Sequence, residues 1–70
     1  MNNDIRRILA DNIRLLRTKK RFSQEAVAEL ANIGQNQISQ IENGHSNPSL
    51  DTIIRIANAL DTSVYQLFKY

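Results

Sequence analysis

Between Gln24 and Gly44 the chain reads QEAVAELANIGQNQISQIENG, and this stretch leaves little freedom in what can be built from it. Val27, Ala28 and Ala31 fall at i, i+1 and i+4, a narrow apolar strip on a short helix whose two alanines permit close approach to a neighbour. Ile38 and Ile41, three apart, mark the inner side of a second short helix, roughly opposite a wholly polar set. At about 100° per residue, Gln35, Asn36, Ser39, Gln40 and Asn43 span an arc of roughly 140°. That outer face holds amides and a hydroxyl and no charge, where a solvated helix ordinarily carries Lys and Glu. Amides donate and accept at once, as the edge of adenine in the DNA major groove requires.

Seventy residues make one small domain, 1–70, near the lower limit for a self-sufficient core. With no Cys, neither a disulfide nor a thiolate metal site can staple it, so burial must hold it, helped by dimerisation. No apolar run approaches a membrane span and no signal-peptide pattern opens the chain, which leads us to expect a cytoplasmic protein. His45 is the lone His, so no metal site and no cofactor is expected. A Cys-free chain with one His, no phosphate loop and no carboxylate pair in a predicted cleft does not read as an enzyme.

The net charge of +2 is unevenly spread. Seven of the nine Lys and Arg lie within residues 1–21 (Arg6, Arg7, Arg14, Arg17, Lys19, Lys20, Arg21) against Asp4 and Asp11, so that segment carries +5 and the remainder −3. One basic and one acidic side suits a protein that meets a polyanion in a fixed orientation.

The flanking segments are helical as well. Ile5, Ile8, Leu9, Ile13 and Leu16 recur at helical spacing over residues 4–19, with Asn3 or Asp4 as the cap. A basic turn, TKKRF, follows; Phe22 anchors it and Ser23 caps the next helix. After a turn in which Gly44 takes the left-handed position, Pro48 and Ser49 open a helix from Leu50 to Leu60, with Leu50, Ile53, Ile56, Ala57 and Leu60 inward. Ser63 with Gln66 opens a last short helix through Phe68. Ile54 off its helix's core face, with Tyr65, Phe68 and Tyr70, makes an apolar patch of the kind that marks an interface.

The chain resembles the helix-turn-helix regulators of the Cro and phage-repressor type. The matching residues are Gln24 opening the first helix, Ala28 at its fifth position, Ile33 in the turn, and Ile38 and Ile41 in the second helix. Glu42-Asn43-Gly44 closes that helix and Asn47-Pro48-Ser49-Leu50 opens the next, and the likeness extends from about Leu9 to Phe68. Two positions depart. Asn32 stands where the family usually has the turn Gly, and Gly34 where it usually has a Ser or Thr cap. Asn tolerates the left-handed region, and Gly is an acceptable, weaker cap.

The resemblance implies an all-α, five-helix, lambda-repressor-like DNA-binding domain whose helix-turn-helix spans about residues 24–43. It implies that Gln35, Asn36 and Gln40 read base edges, with Ser39 at a phosphate or a base. Gln24 meets a phosphate with its backbone N–H and braces Gln35 with its amide. Arg14, Lys19, Lys20, Arg21, Asn43 and Asn47 supply further phosphate contacts, and Arg17 pairs with Glu42. Family dimers commonly use the region of Ile54, Tyr65, Phe68 and Tyr70, which sets two recognition helices about one DNA turn apart. The expected function is a homodimeric, autoregulating transcription regulator on a pseudo-palindromic operator, similar to a phage Cro protein or a restriction–modification controller. RNA polymerase is a further partner to consider. The alternative is an antitoxin-like protein whose main partner is a toxin.

Overall fold

The computed structural model describes residues 4–70, and the alternative cap Asn3 lies outside them. Five helices follow one another: α1 (Ile5–Lys19), α2 (Gln24–Ala31), α3 (Gln35–Glu42), α4 (Leu50–Ala59) and α5 (Val64–Leu67). Side-chain caps explain where four of them begin. Asp4 accepts from the Arg6 N–H, Ser23 from Ala26, Ser49 from Thr52 and Ser63 from Gln66, each satisfying one orphan donor of a first turn. Hydrogen bonds from Arg6, two by its side chain and one by its backbone N–H, hold the Asp4 carboxyl below its ordinary titration range. Gly34, the cap of α3, has no side chain to offer.

The first four helices all end the same way. Arg21, Asn32, Gly44 and Asp61 take positive φ, between 54° and 76°. The next residue's N–H reaches back five positions in every case: Phe22 to Arg17 O at 3.0 Å, Ile33 to Ala28 O at 2.9 Å, His45 to Gln40 O at 3.1 Å, and Thr62 to Ala57 O at 2.9 Å. This is the Schellman termination, which returns the chain sharply after the last turn. Three of these exits lead directly into the next cap, as Arg21-Phe22-Ser23, Asn32-Ile33-Gly34 and Asp61-Thr62-Ser63. These consecutive helices are therefore joined by almost no free chain, whereas residues 43–49 make a longer link from α3 to α4.

Such short joints fold the helices around one core of Leu9, Ile13, Val27, Ala28, Ala31, Ile38, Ile41, Ile53, Ile56, Ala57, Leu60 and Leu67. Helix α2 packs on α3 and α4, α1 on α3 and α5, and α4 on α5. Phe22 and Ile33, the residues just past two left-handed exits, pack on the core's rim. Asn12 on α1 donates its Nδ2 to Leu67 O at 2.9 Å and to Lys69 O at 2.7 Å, tying the C-terminal carbonyls to the first helix.

Several expectations are corrected. Ile5 is half exposed, because residues 5–7 are all exposed and the first turn of α1 stands clear of the packing. Leu50 is 66% exposed, and the inward face of α4 begins instead at Thr52, whose hydroxyl is hydrogen-bonded to Ser49 Oγ at 3.0 Å. A hydroxyl satisfied this way can be buried at little cost. The helices α3, α4 and α5 each stop one residue short of the expected end, with Asn43, Leu60 and Phe68 as C-terminal caps. Phe68 packs against the core, whereas Ile54, Tyr65 and Tyr70 are exposed.

The two glycines should respond oppositely to one substitution. Nothing lies within 4 Å of a Cβ built on Gly34, so Gly34→Ser gains a cap and should stabilise by roughly a few tenths of a kcal/mol. Gly44 has φ +76° and space around it, with Arg7 Cζ at 3.8 Å, so Gly44→Ser meets backbone strain and should cost about 1–2 kcal/mol. Thermal unfolding reads both, at about 4–8 °C per kcal/mol for a domain of this size.

Candidate nucleic-acid interface

Helix α3 presents two chemically opposite faces. Ile38 and Ile41 are buried in the core. Gln35, Asn36 and Gln40 are exposed, Ser39 is half-buried, and Asn43 is exposed at the C-terminal cap. The side chains of Gln35, Asn36 and Gln40 make no hydrogen bonds among the described residues, so their donors and acceptors are free for a ligand. No charged residue interrupts this face, because the one charge on α3, Glu42, is turned inward and is only 4% exposed.

Glu42 is held by partners from two other helices. Arg17 of α1 donates Nε to Oε2 at 2.6 Å and Nη2 to Oε1 at 3.0 Å, a two-pronged pair. Gln24 of α2 donates Nε2 to Oε1 at 3.1 Å. Arg17 also gives Nη1 to Phe22 O at 2.8 Å, which fastens the α1–α2 turn to the same cluster. No buried side-chain polar atom is left without a partner among the described residues. The expected brace from Gln24 to Gln35 is not made. The amide turns to the far end of α3 because the buried carboxylate there offers a stronger, charged acceptor than an exposed amide.

Beside this cluster the surface opens into a cavity of about 390 Å³. Arg7, Arg14 and Arg17 line it from α1 and Gln24 from the start of α2. Glu42, Asn43 and His45 close it from the end of α3 and the turn beyond. The cavity thus brings together five of the residues singled out in the sequence: Arg14, Arg17, Gln24, Glu42 and Asn43. It adds Arg7, which the sequence reading counts only as part of the basic segment, and His45, to which that reading gives no role. A spacing of seven sets Arg7 and Arg14 on nearly the same face of α1, a signal that was available; nothing in the sequence brings His45 to them. Lys19, Lys20, Arg21 and Asn47 are exposed but do not line the cavity. Arg14 is already paired with Asp11 at 3.0 Å on α1. Among the described residues no group of His, Cys, Asp or Glu is arranged to hold a metal ion, and no helix is long and apolar enough to cross a membrane.

Breaking the Glu42 cluster from one side should be far worse than replacing it whole. Arg17→Met leaves a buried carboxylate without its cation and should cost about 3–5 kcal/mol. Adding Glu42→Leu to that variant should recover most of the loss, since two apolar side chains need no partners. Urea unfolding of the two single variants and the double variant measures the coupling.

A family described as Helix-turn-helix matches residues 13–67. The control protein C.SmaI of Serratia marcescens is 41% identical over 64 residues, covering 91% of this chain and 76% of that protein. The control protein C.BamHI of Bacillus amyloliquefaciens is 35% identical over 71 residues, covering all of this chain and 88% of its own. Among solved structures, the restriction–modification controller protein C.AhdI of Aeromonas hydrophila superposes with a TM-score of 0.87 at 35% identity, covering 90% of this chain and 96% of that one. The chain belongs to the helix-turn-helix family of DNA-binding transcription regulators, among relatives that are restriction–modification controller proteins.

Proposed function

We propose that the chain acts as a homodimer on a pseudo-palindromic operator upstream of its own gene, reading the major groove with α3. The observation that carries this reading is the uncharged, exposed amide face of α3, held in orientation by the buried Glu42 cluster. Gln35 and Asn36 at the helix start and Gln40 one turn later contact base edges, each good bidentate pair discriminating by about 1–3 kcal/mol. Ser39 serves a neighbouring phosphate or base. The backbone N–H at Gln24, the side chains of Asn43 and Asn47, and the cations Arg14, Lys19, Lys20 and Arg21 meet the phosphates that fix register. Exposed Ile54, Tyr65 and Tyr70, with Phe68 packed behind them, form the dimer contact, which sets two recognition helices about 34–36 Å apart.

Its own concentration sets its output, and it works in the cytoplasm, where its DNA is. The relatives lend no support to the toxin-partner alternative. Their regulatory character supports a role without catalysis.

Base-reading and phosphate-binding roles separate on mutation. Gln35→Ala should relax preference at one base pair. Lys20→Ala should weaken all sequences alike and lower the salt slope by about one. Equal loss of specific and non-specific affinity in both variants would sink the division of roles. For the function as a whole, gel retardation on DNA from immediately upstream of the gene, across protein and salt concentrations, should give a steep, cooperative shift absent from random DNA. Equal retardation of random DNA counts against sequence-specific control.

A further inference from the structure

Among the described residues, Asn12 makes the side-chain hydrogen bonds that span the most sequence, and the DNA-binding reading gives it no part. It stands in the middle of α1, where Asn is a poor helix former and Ala or Leu would serve the helix better. Its amide is half-buried and carries two donors. Nδ2 gives one bond to Leu67 O at 2.9 Å and one to Lys69 O at 2.7 Å. The first carbonyl ends α5; the second lies in the segment beyond it.

We propose that Asn12 is a positioning residue for self-association: by holding the Lys69 carbonyl on α1, it sets where Tyr70 stands against a second copy of the chain. The inference rests on the homodimer reading and adds to it a residue that acts through another. The supports of the two exposed tyrosines differ. Tyr65 lies within α5, which Ser63 caps by accepting from the Gln66 N–H at 3.2 Å and which Leu67, fully buried, plugs into the core. Past α5 the backbone has less to hold it. The Phe68 N–H reaches Tyr65 O at 3.1 Å and its ring packs on the core's rim, but the Lys69 N–H is 3.5 Å from Gln66 O. Tyr70 follows, 85% exposed. The Lys69 carbonyl belongs to the planar peptide group that leads into Tyr70, so fixing its oxygen fixes the point from which the tyrosine departs.

An exposed aromatic contributes most to association when it is already ordered, because the entropy of ordering it is then not lost on binding. The same bond has a second consequence. It ties the self-association contact to α1, the helix whose cations the DNA-binding reading sets against phosphates, so that two copies are held in register through α1 as well as through the core. The chemistry is particular to the amide. A carboxylate of the same shape only accepts, and it would face two carbonyl oxygens with no proton to offer them.

Sedimentation equilibrium on the full chain, with circular dichroism to follow its helices, tests this by a mutant cycle. Asn12→Ala and Tyr70→Ala should each raise the dimer dissociation constant about tenfold, the effect of one interface tyrosine. Combined, they should still raise it about tenfold, where independent losses would multiply to roughly a hundredfold. Asn12→Ala combined with Tyr65→Ala should multiply, since α5 holds Tyr65 without the amide. Asn12→Asp should weaken the dimer at least as much as Asn12→Ala. A dimer constant unchanged in Asn12→Ala, or multiplied in the pairing with Tyr70→Ala, overturns the inference and leaves the homodimer reading standing. Loss of the helical signal in both Asn12 variants would make the contact part of the fold itself and overturn the inference too. A wild type that stays monomeric at every concentration overturns both.

Discussion

The recognition helix is oriented by one buried negative charge. Helix α3 has only eight residues, and a helix of that length has little stability of its own in water. Two isoleucines hold its inner face to the core, yet a row of branched apolar side chains permits rotation and sliding. The Glu42 carboxylate does not. Its oxygens accept from Arg17 of α1 and Gln24 of α2, at distances that leave no slack, and Arg17 is pinned in turn by the Phe22 carbonyl. Burying such a pair loses nearly as much in desolvation as it gains in attraction. Its consequence is geometric: α1, α2 and the end of α3 are set in one mutual arrangement, and the outward face of α3 is set with them.

That arrangement separates two kinds of recognition. Charge is kept off the reading face, since the one acid of α3 is buried and its cation arrives from another helix. The surrounding cations sit on α1 and on the turn after it, where the proposed reading has them meet a polyanion without regard to sequence. Amides and the Ser39 hydroxyl alone are then left on that face, the one the proposed reading turns to the bases. A Lys or Arg within that face would add affinity for every sequence, and the contrast between right and wrong sites would shrink.

The fold was readable wherever a helical period coincided with burial, and the failures share a physical cause. Ile5 and Leu50 each continue an apolar period into the first helical residue, where no neighbouring element extends to cover them. Thr52 took the inward place because Ser49, a cap, also satisfies its hydroxyl, a pairing no hydropathy pattern registers. The sequence points Gln24 to the amide of Gln35, whereas its partner is the Glu42 carboxylate at the other end of α3. Asn12 reaches carbonyls 55 and 57 residues away. Residue type announces that a polar side chain needs a partner; which partner is settled by long-range packing. For the same reason Arg7 and His45 could not be joined from the sequence, although the amide face of α3, a local property, could be seen at once.

The helix exits carry the last part of the logic. Four left-handed residues terminate four helices, and the geometry is the same whether the residue is Gly, Asn, Asp or Arg. The turn of the helix-turn-helix therefore does not need its customary Gly: the Ile33 N–H bonded to Ala28 O, with Ile33 packed on the core, enforces the bend on Asn32. Asn and Asp tolerate that conformation because their short polar side chains bond locally. Arg21 has no such excuse. A long, exposed side chain at φ 61° bears a backbone cost of about 1–2 kcal/mol that Gly would remove. Strain that persists where an easy relief exists points toward use. Arg21 stands two residues before the cap of α2, the helix whose first N–H groups are assigned to a phosphate. A Gly there would relax the turn and delete the cation nearest in sequence to that anion site, which is the trade expected of a residue kept for its charge.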